Sequence, residues 1–292
     1  MEETVLFSRL IERQARIIEK EAAGVRRPAE IESLHKLRVS LRRTKGVLSD
    51  FQDLLDRRSY QAAIFPVKKL LRSLGQARDI DTKIAFLKTF VDDPRAKPHR
   101  RGILEIIEEM AEDRAEIQPR IRKDLSVAKQ GKMLRALRRL RPSLGETGVT
   151  IDEFAKSRVL LRVDRLFSLE PYVRKPRCAR ELHEMRIAAK SLRYTLESFA
   201  SLYPKTRIFA ASAMRVQRAL GEVHNYDVWL GFVSILKDSS GRDWHFRRAV
   251  TFLDRECRLR RQEAYRDFLK VWSGLKKRKT WARLGYFALD RS

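Results

Sequence analysis

The chain has 292 residues, enough for one large or two ordinary domains with a substantial buried core. Apolar residues make up 43% and charged residues 35%, too hydrophobic for a disordered chain, while 12 glycines and 9 prolines are too few for a turn-rich all-β fold. Lys and Arg outnumber Asp and Glu by 64 to 38, a net charge of +26, and the excess is spread along the sequence: 33 against 22 over residues 1–146 and 31 against 16 over 147–292. It therefore belongs to folded surface rather than to a tail, and calls for an anionic partner.

Apolar residues recur at spacings of three and four almost throughout, as at Leu6, Leu10 and Ile17, and again at Ile103, Ile106, Ile107 and Met110. That is the pattern of amphipathic helices. The spacing predicts helices over 2–22, 29–57, 66–76, 80–91, 99–129, 151–168, 177–203, 205–220, 226–237 and 243–273, with weaker pieces at 132–140 and 276–288. Breaks fall near 24–28, 92–98, 142–148, 171–176 and 237–241, where Gly and Pro gather. The start, MEETVLFSRLIERQ, is interrupted by charge and lacks the form of a signal peptide, and no apolar run reaches transmembrane length. Cys178 and Cys257 have no metal-ligand or disulfide-framework spacing. A cytoplasmic protein without metal or cofactor is expected.

The chain repeats itself. Residues 34–51, LHKLRVSLRRTKGVLSDF, align with 182–199, LHEMRIAAKSLRYTLESF, so that Leu34, His35, Arg38, Leu48 and Phe51 recur as Leu182, His183, Arg186, Leu196 and Phe199. A second pair follows in the same order: Leu74-Gly75 and Asp81 recur as Leu220-Gly221 and Asp227. Two blocks in one order at nearly one offset predict an all-α protein of two four-helix-bundle-like halves, 1–145 and 149–292, related by pseudo-two-fold symmetry.

A helix turns about 100° per residue, so His35, Arg38, Arg42 and Lys45 fall within an arc of roughly 80°, beside the apolar stripe of Leu34, Leu37, Leu41, Leu48 and Phe51. In the second copy His183, Arg186, Lys190 and Arg193 keep the same spacing, and both variable positions stay cationic. Another basic pair precedes each Leu-Gly step, Lys69 with Arg72 and Arg215 with Arg218. A solvated face is free to drift to any polar residue, so a cation pattern kept in both copies points to an anion site. The expected arrangement is a cleft into which the rows of both halves converge. Glu32 and Glu197 are the acidic residues at helical spacing from the rows.

The paired pattern H-x-x-R-V/I-x-x-x-K/R-x-x-K/R, with a downstream L-G-x-x-R/H-D/N-x-D, resembles the CHAD (conserved histidine α-helical domain) family over nearly the whole chain, from about residue 2 to 288. The resemblance implies two helical bundles and binding of inorganic polyphosphate by the basic surface. Carried over by position, the contacts are His35, Arg38, Arg42, Lys45, Lys69 and Arg72 in the first half and His183, Arg186, Lys190, Arg193, Arg215 and Arg218 in the second. Arg43 faces away from the row, and its counterpart is Ser191. The resemblance further implies association with polyphosphate granules or polyphosphate-metabolising enzymes. The CYTH domain that accompanies many relatives is not expected: Glu30-x-Glu32 has Leu34 where that domain's motif needs Lys, and reads instead as the first turn of a helix begun by Pro28.

Polyphosphate carries about one charge per phosphate and no bases, so rows of charge-assisted donors suffice and aromatic stacking platforms are superfluous. Phe51 and Phe199 lie on the apolar side of the rows, which disfavours a single-strand nucleic-acid groove. A nucleic-acid-binding helical module remains the first alternative, although no helix-turn-helix, zinc-finger or RNP-like signal is present; otherwise nucleic acid is expected only as a non-specific competitor, and no membrane partner is expected. An enzyme using His35 or His183 for phosphoryl transfer is the second alternative. Neither a P-loop nor HExxH occurs, and Asp79 with Asp81, matched by Asn225 and Asp227, reads as helix N-caps rather than a metal-binding pair. A non-enzymatic protein is expected.

Overall fold

A computed structural model describes residues 2–25, 31–144, 149–238, 241, 243–281 and 284. Among them the regular structure is helical: α1 Glu2–Val25, α2 Ile31–Asp50, α3 Arg57–Val91, α4 Arg100–Asp124, α5 Val127–Arg139, α6 Ile151–Phe167, α7 Ala179–Phe199, α8 Thr206–Lys237 and α9 Trp244–Lys277, with short 3-10 turns at Gln52–Leu54, Pro94–His99 and Glu170–Tyr172. The all-α expectation holds. The expected start of the second helix at Pro28 and most of the 142–148 break fall outside the described residues, as does the 276–288 piece beyond Trp281 except for Leu284.

The helices differ from expectation chiefly in length. The pairs expected at 66–76 and 80–91, and at 205–220 and 226–237, are single helices, α3 and α8. Asp81 and Asp227 therefore lie in helix interiors and cap nothing. Asp81 instead accepts from Arg114 Nε on α4 at 2.9 Å, and Asp227 accepts from Arg261 Nε on α9 at 2.5 Å. The helix over 29–57 stops at Asp50, and Asp56 caps α3 by accepting from the Ser59 amide at 2.8 Å. The long helix over 99–129 is divided between α4 and α5.

Contacts divide the chain into two compact units, one of residues 1–97 and 103–151, the other of 98–102 and 152–292. In the first, α1 packs on α2, α2 on α3, and α5 on both α1 and α3. Its core holds the whole apolar stripe of α2, with Leu37, Leu41, Leu48 and Phe51 fully buried, and Phe7 of α1 meets Phe51 at 5.2 Å between ring centres. In the second, α7 packs on α8 and α8 on α9. Leu182, Met185, Ala189, Leu192, Leu196 and Phe199 are buried, and Phe154 of α6 meets Phe199 edge-on at 6.2 Å. Each buried Phe or Leu contributes about 1.5–3 kcal/mol, which fixes the rotation of α2 and α7 and so the direction their cations take.

The second unit also holds the segment 98–102. His99 stacks on Phe252 at 4.6 Å, Arg101 reaches Asp243 at 3.7 Å, and Gly102 lies so close to α9 that an added Cβ would stand 2.6 Å from the His245 carbonyl oxygen.

Candidate anion-binding site

In the first unit, α2 carries His35, Arg38, Arg42 and Lys45 along the edge of the buried stripe. Arg38 crosses to α3 and donates from Nη1 to the Leu74 carbonyl at 2.7 Å. The crossing is possible because residue 75 is glycine: a Cβ there would lie 3.2 Å from that same nitrogen. The Leu-Gly step is thus a notch for an arginine of the basic row. In the second unit Arg186 also approaches the Leu-Gly step, but its Nε would stand 3.7 Å from a Gly221 Cβ, an ordinary contact that does not require glycine.

Burial, then the Arg42 charge, holds the Arg38 pKa below its usual value, with Arg78 pressing the same way and Asp79 opposing. His35 is lowered by burial first and then by Arg78 and Arg42. No carboxylate of the described residues forms an ion pair with Arg38, Arg42 or Lys45, and Arg42 Nε is buried without a hydrogen-bond partner. On α3, Arg72 is exposed. Lys69 turns to Asp124, 3.8 Å away, which also accepts from the Ser73 hydroxyl at 2.6 Å.

The second unit is more enclosed. His183 lies against His224 of α8, ring centres 3.9 Å apart, and its Nδ1 is buried with no hydrogen-bond partner. Burial, Arg186 and Lys190 lower the His183 pKa. His224 is pushed down to about 4 by burial, His183, Arg186 and Lys190. Both rings are therefore neutral at pH 7. Arg193 is held by its own helix, lying 4.6 Å over the Tyr194 ring and 3.4 Å from Glu197. Arg215 and Arg218 are exposed on α8.

The structure accordingly brings together the first three members of each row: His35, Arg38 and Arg42, and His183, Arg186 and Lys190. Lys45, Arg72, Arg215 and Arg218 are exposed, Arg193 is held by Tyr194 and Glu197, and Lys69 is drawn to Asp124. Two residues absent from the sequence-derived set join the clusters: Arg78 of α3, whose charge His35 feels, and His224 of α8, which lies against His183. Their signal was the R/H position of the downstream motif. Arg43 Nε is buried as well, so its side chain is packed rather than projected into solvent.

The CHAD domain model matches residues 9–234. The chain belongs to the CHAD family. Among solved structures, this CHAD chain is similar to the crystal structure of the CHAD domain from the plant Ricinus communis, with a TM-score of 0.69 and 20% identity over 94% of this chain and 91% of that one. It is also similar to PptA from Streptomyces chartreusis, with a TM-score of 0.71 and 14% identity over 92% and 99%. At these identities the likeness concerns the fold. Among curated proteins none matches the chain. The family match carries no CYTH domain, and no helix among the described residues is long and apolar enough to cross a membrane.

Proposed function

We propose that this CHAD protein binds inorganic polyphosphate through the basic rows of its two units, without catalysing a reaction on it. The observation that carries the reading is the cation cluster at the start of each row, where Arg38 and Arg42 lie beside the exposed His35, and Arg186 and Lys190 beside the partly buried His183, close enough that, after desolvation, their charges hold both imidazole pKa values down. Lining up like charges on successive turns costs a few tenths of a kcal/mol per pair, and an anion with regularly spaced charges relieves all of them together. A phosphate chain does so as a flexible thread, accepting from guanidinium forks and from the imidazole N–H of His35 and His183.

A binding role is supported by how the acidic residues are used. Asp81 and Asp227, the acids kept in both copies of the motif, are engaged by Arg114 and Arg261, whereas metal-assisted phosphoryl transfer relies on carboxylates free to hold the ion. The role envisaged is recruitment to polyphosphate granules or to enzymes that make or consume the polymer.

The test is a competition titration at fixed ionic strength with long-chain polyphosphate, single-stranded DNA and heparin, comparing the wild type with Arg42→Ala/Lys190→Ala. Polyphosphate is expected to bind tightest and to lose about tenfold affinity per cation removed, the scale of one charge-assisted hydrogen bond, with thermal stability unchanged. Equal affinity for the three polymers, insensitive to the double substitution, overturns the reading. Tighter binding of DNA would assign the surface to nucleic acid.

A further inference from the structure

A groove lies in the first unit between α3 and α5, lined in part by Lys69 but by none of His35, Arg38 and Arg42. Its volume of about 560 Å³ is within the range of about 300–1,000 Å³ typical of small-molecule sites. Phe65, Pro66, Leu70 and Met133 supply much of its wall. Phe65, at the edge of the groove, is 63% exposed, so an apolar ligand lying along it would take the ring out of water. Pro66, inside α3, has no N–H to give the Ala62 carbonyl, so one wall also presents a backbone acceptor with reduced helical pairing.

The polar part of the lining is cationic. Lys69, Lys129 and Lys132 accompany one acid, Asp124, which pairs with Lys69 at 3.8 Å and with Lys129 at 3.7 Å. Lys132 forms no ion pair among the described residues. We infer that this groove binds an anionic single-chain amphiphile, a fatty acid whose hydrocarbon tail covers Phe65 and Met133 and whose carboxylate meets Lys132. The charge of the lining selects the head group. The volume suits one small molecule, whereas a partner protein would need about 800 Å² of matching surface.

Laurate, kept below its micelle concentration, is the probe, titrated calorimetrically into the full chain. Four arms decide the matter: wild type, Ala62→Trp, which fills the groove from an exposed position, Lys132→Glu, and Lys20→Glu, the same charge change at an exposed residue of α1. One laurate per chain is expected, weakened about tenfold or more by Ala62→Trp and about fivefold by Lys132→Glu, with Lys20→Glu near wild type. Absence of saturable binding, equal binding of dodecyltrimethylammonium, or equal weakening by Lys20→Glu overturns the inference. So does saturable binding of an acidic amphipathic peptide helix that laurate fails to displace, which would assign the groove to a protein partner. Polyphosphate titration of Ala62→Trp should match the wild type, so the two sites stand or fall separately.

Discussion

Alanine substitution at the two Leu-Gly steps separates the two halves of the repeat. In a helix interior Gly→Ala gains about 1 kcal/mol of propensity. At Gly221 the new Cβ would sit 3.7 Å from Arg186 Nε, an ordinary contact, so the gain is kept: about 0.5–1 kcal/mol, or roughly 1–2 °C in Tm for a chain of this size. At Gly75 the new Cβ meets Arg38 Nη1 at 3.2 Å, and the guanidinium has to retreat by a few tenths of an ångström from the Leu74 carbonyl it holds at 2.7 Å. A hydrogen bond from a charged donor contributes about 1.5–3 kcal/mol, so losing half of it cancels the propensity gain. Thermal unfolding of the two single variants should therefore differ by about 0.75–1.5 kcal/mol in favour of Gly221→Ala. In an Arg38→Ala background Gly75→Ala should recover the full gain, a coupling that a double-mutant cycle reads directly. If Gly75→Ala raises Tm as much as Gly221→Ala while Arg38 is present, the notch does not hold the arginine and the reasoning fails.

The histidine pair of the second unit predicts a pH dependence. His224 titrates near 4 in the folded protein against an ordinary value of 6.5, so between these values the unfolded chain binds the extra proton. Stability should thus fall as pH drops from about 6.5 to about 4, by about 1–2 kcal/mol once solvent screening of the half-buried ring is allowed for; denaturant titrations across this range check it, and His224→Gln should flatten the slope. Bound polyphosphate favours the protonated rings, so its affinity should rise over the same interval, which a binding series at constant ionic strength would show. Gly102→Ala, whose Cβ would strike the His245 backbone, should cost about 1–3 kcal/mol, visible as a lowered Tm.

The periodicity of Leu34, Leu37, Leu41 and Leu48 was enough to orient α2, because a helix in water has one face to bury, and the cations beside that face followed. What the pattern could not show was what α2 would meet. His35 feels the charge of Arg78 on a helix about forty residues away, and His183 lies against His224 at a like separation, pairings that depend on interhelical register. Helix continuity was misjudged for a related reason. Leu74-Gly75 and Asp79 to Asp81 look like a break when read locally, yet the glycine accommodates Arg38 and Asp81 receives Arg114, so tertiary partners pass the helix through residues that weaken it in isolation. The repeated Arg114 and Arg261 partners themselves lie in helices whose sequences bear little likeness, and Phe7 and Phe154, which meet Phe51 and Phe199, are as poorly marked.

The five residues from Pro98 to Gly102 come from the early part of the chain but pack against α9 of the later unit, with His99 on Phe252 and Gly102 against His245 and Ala249. A protein bisected at Val149 would therefore yield a carboxyl-terminal fragment with a bare furrow along α9. Supplying the missing peptide in trans should restore it, and selection acting on either half of the gene cannot treat that half as a self-sufficient module.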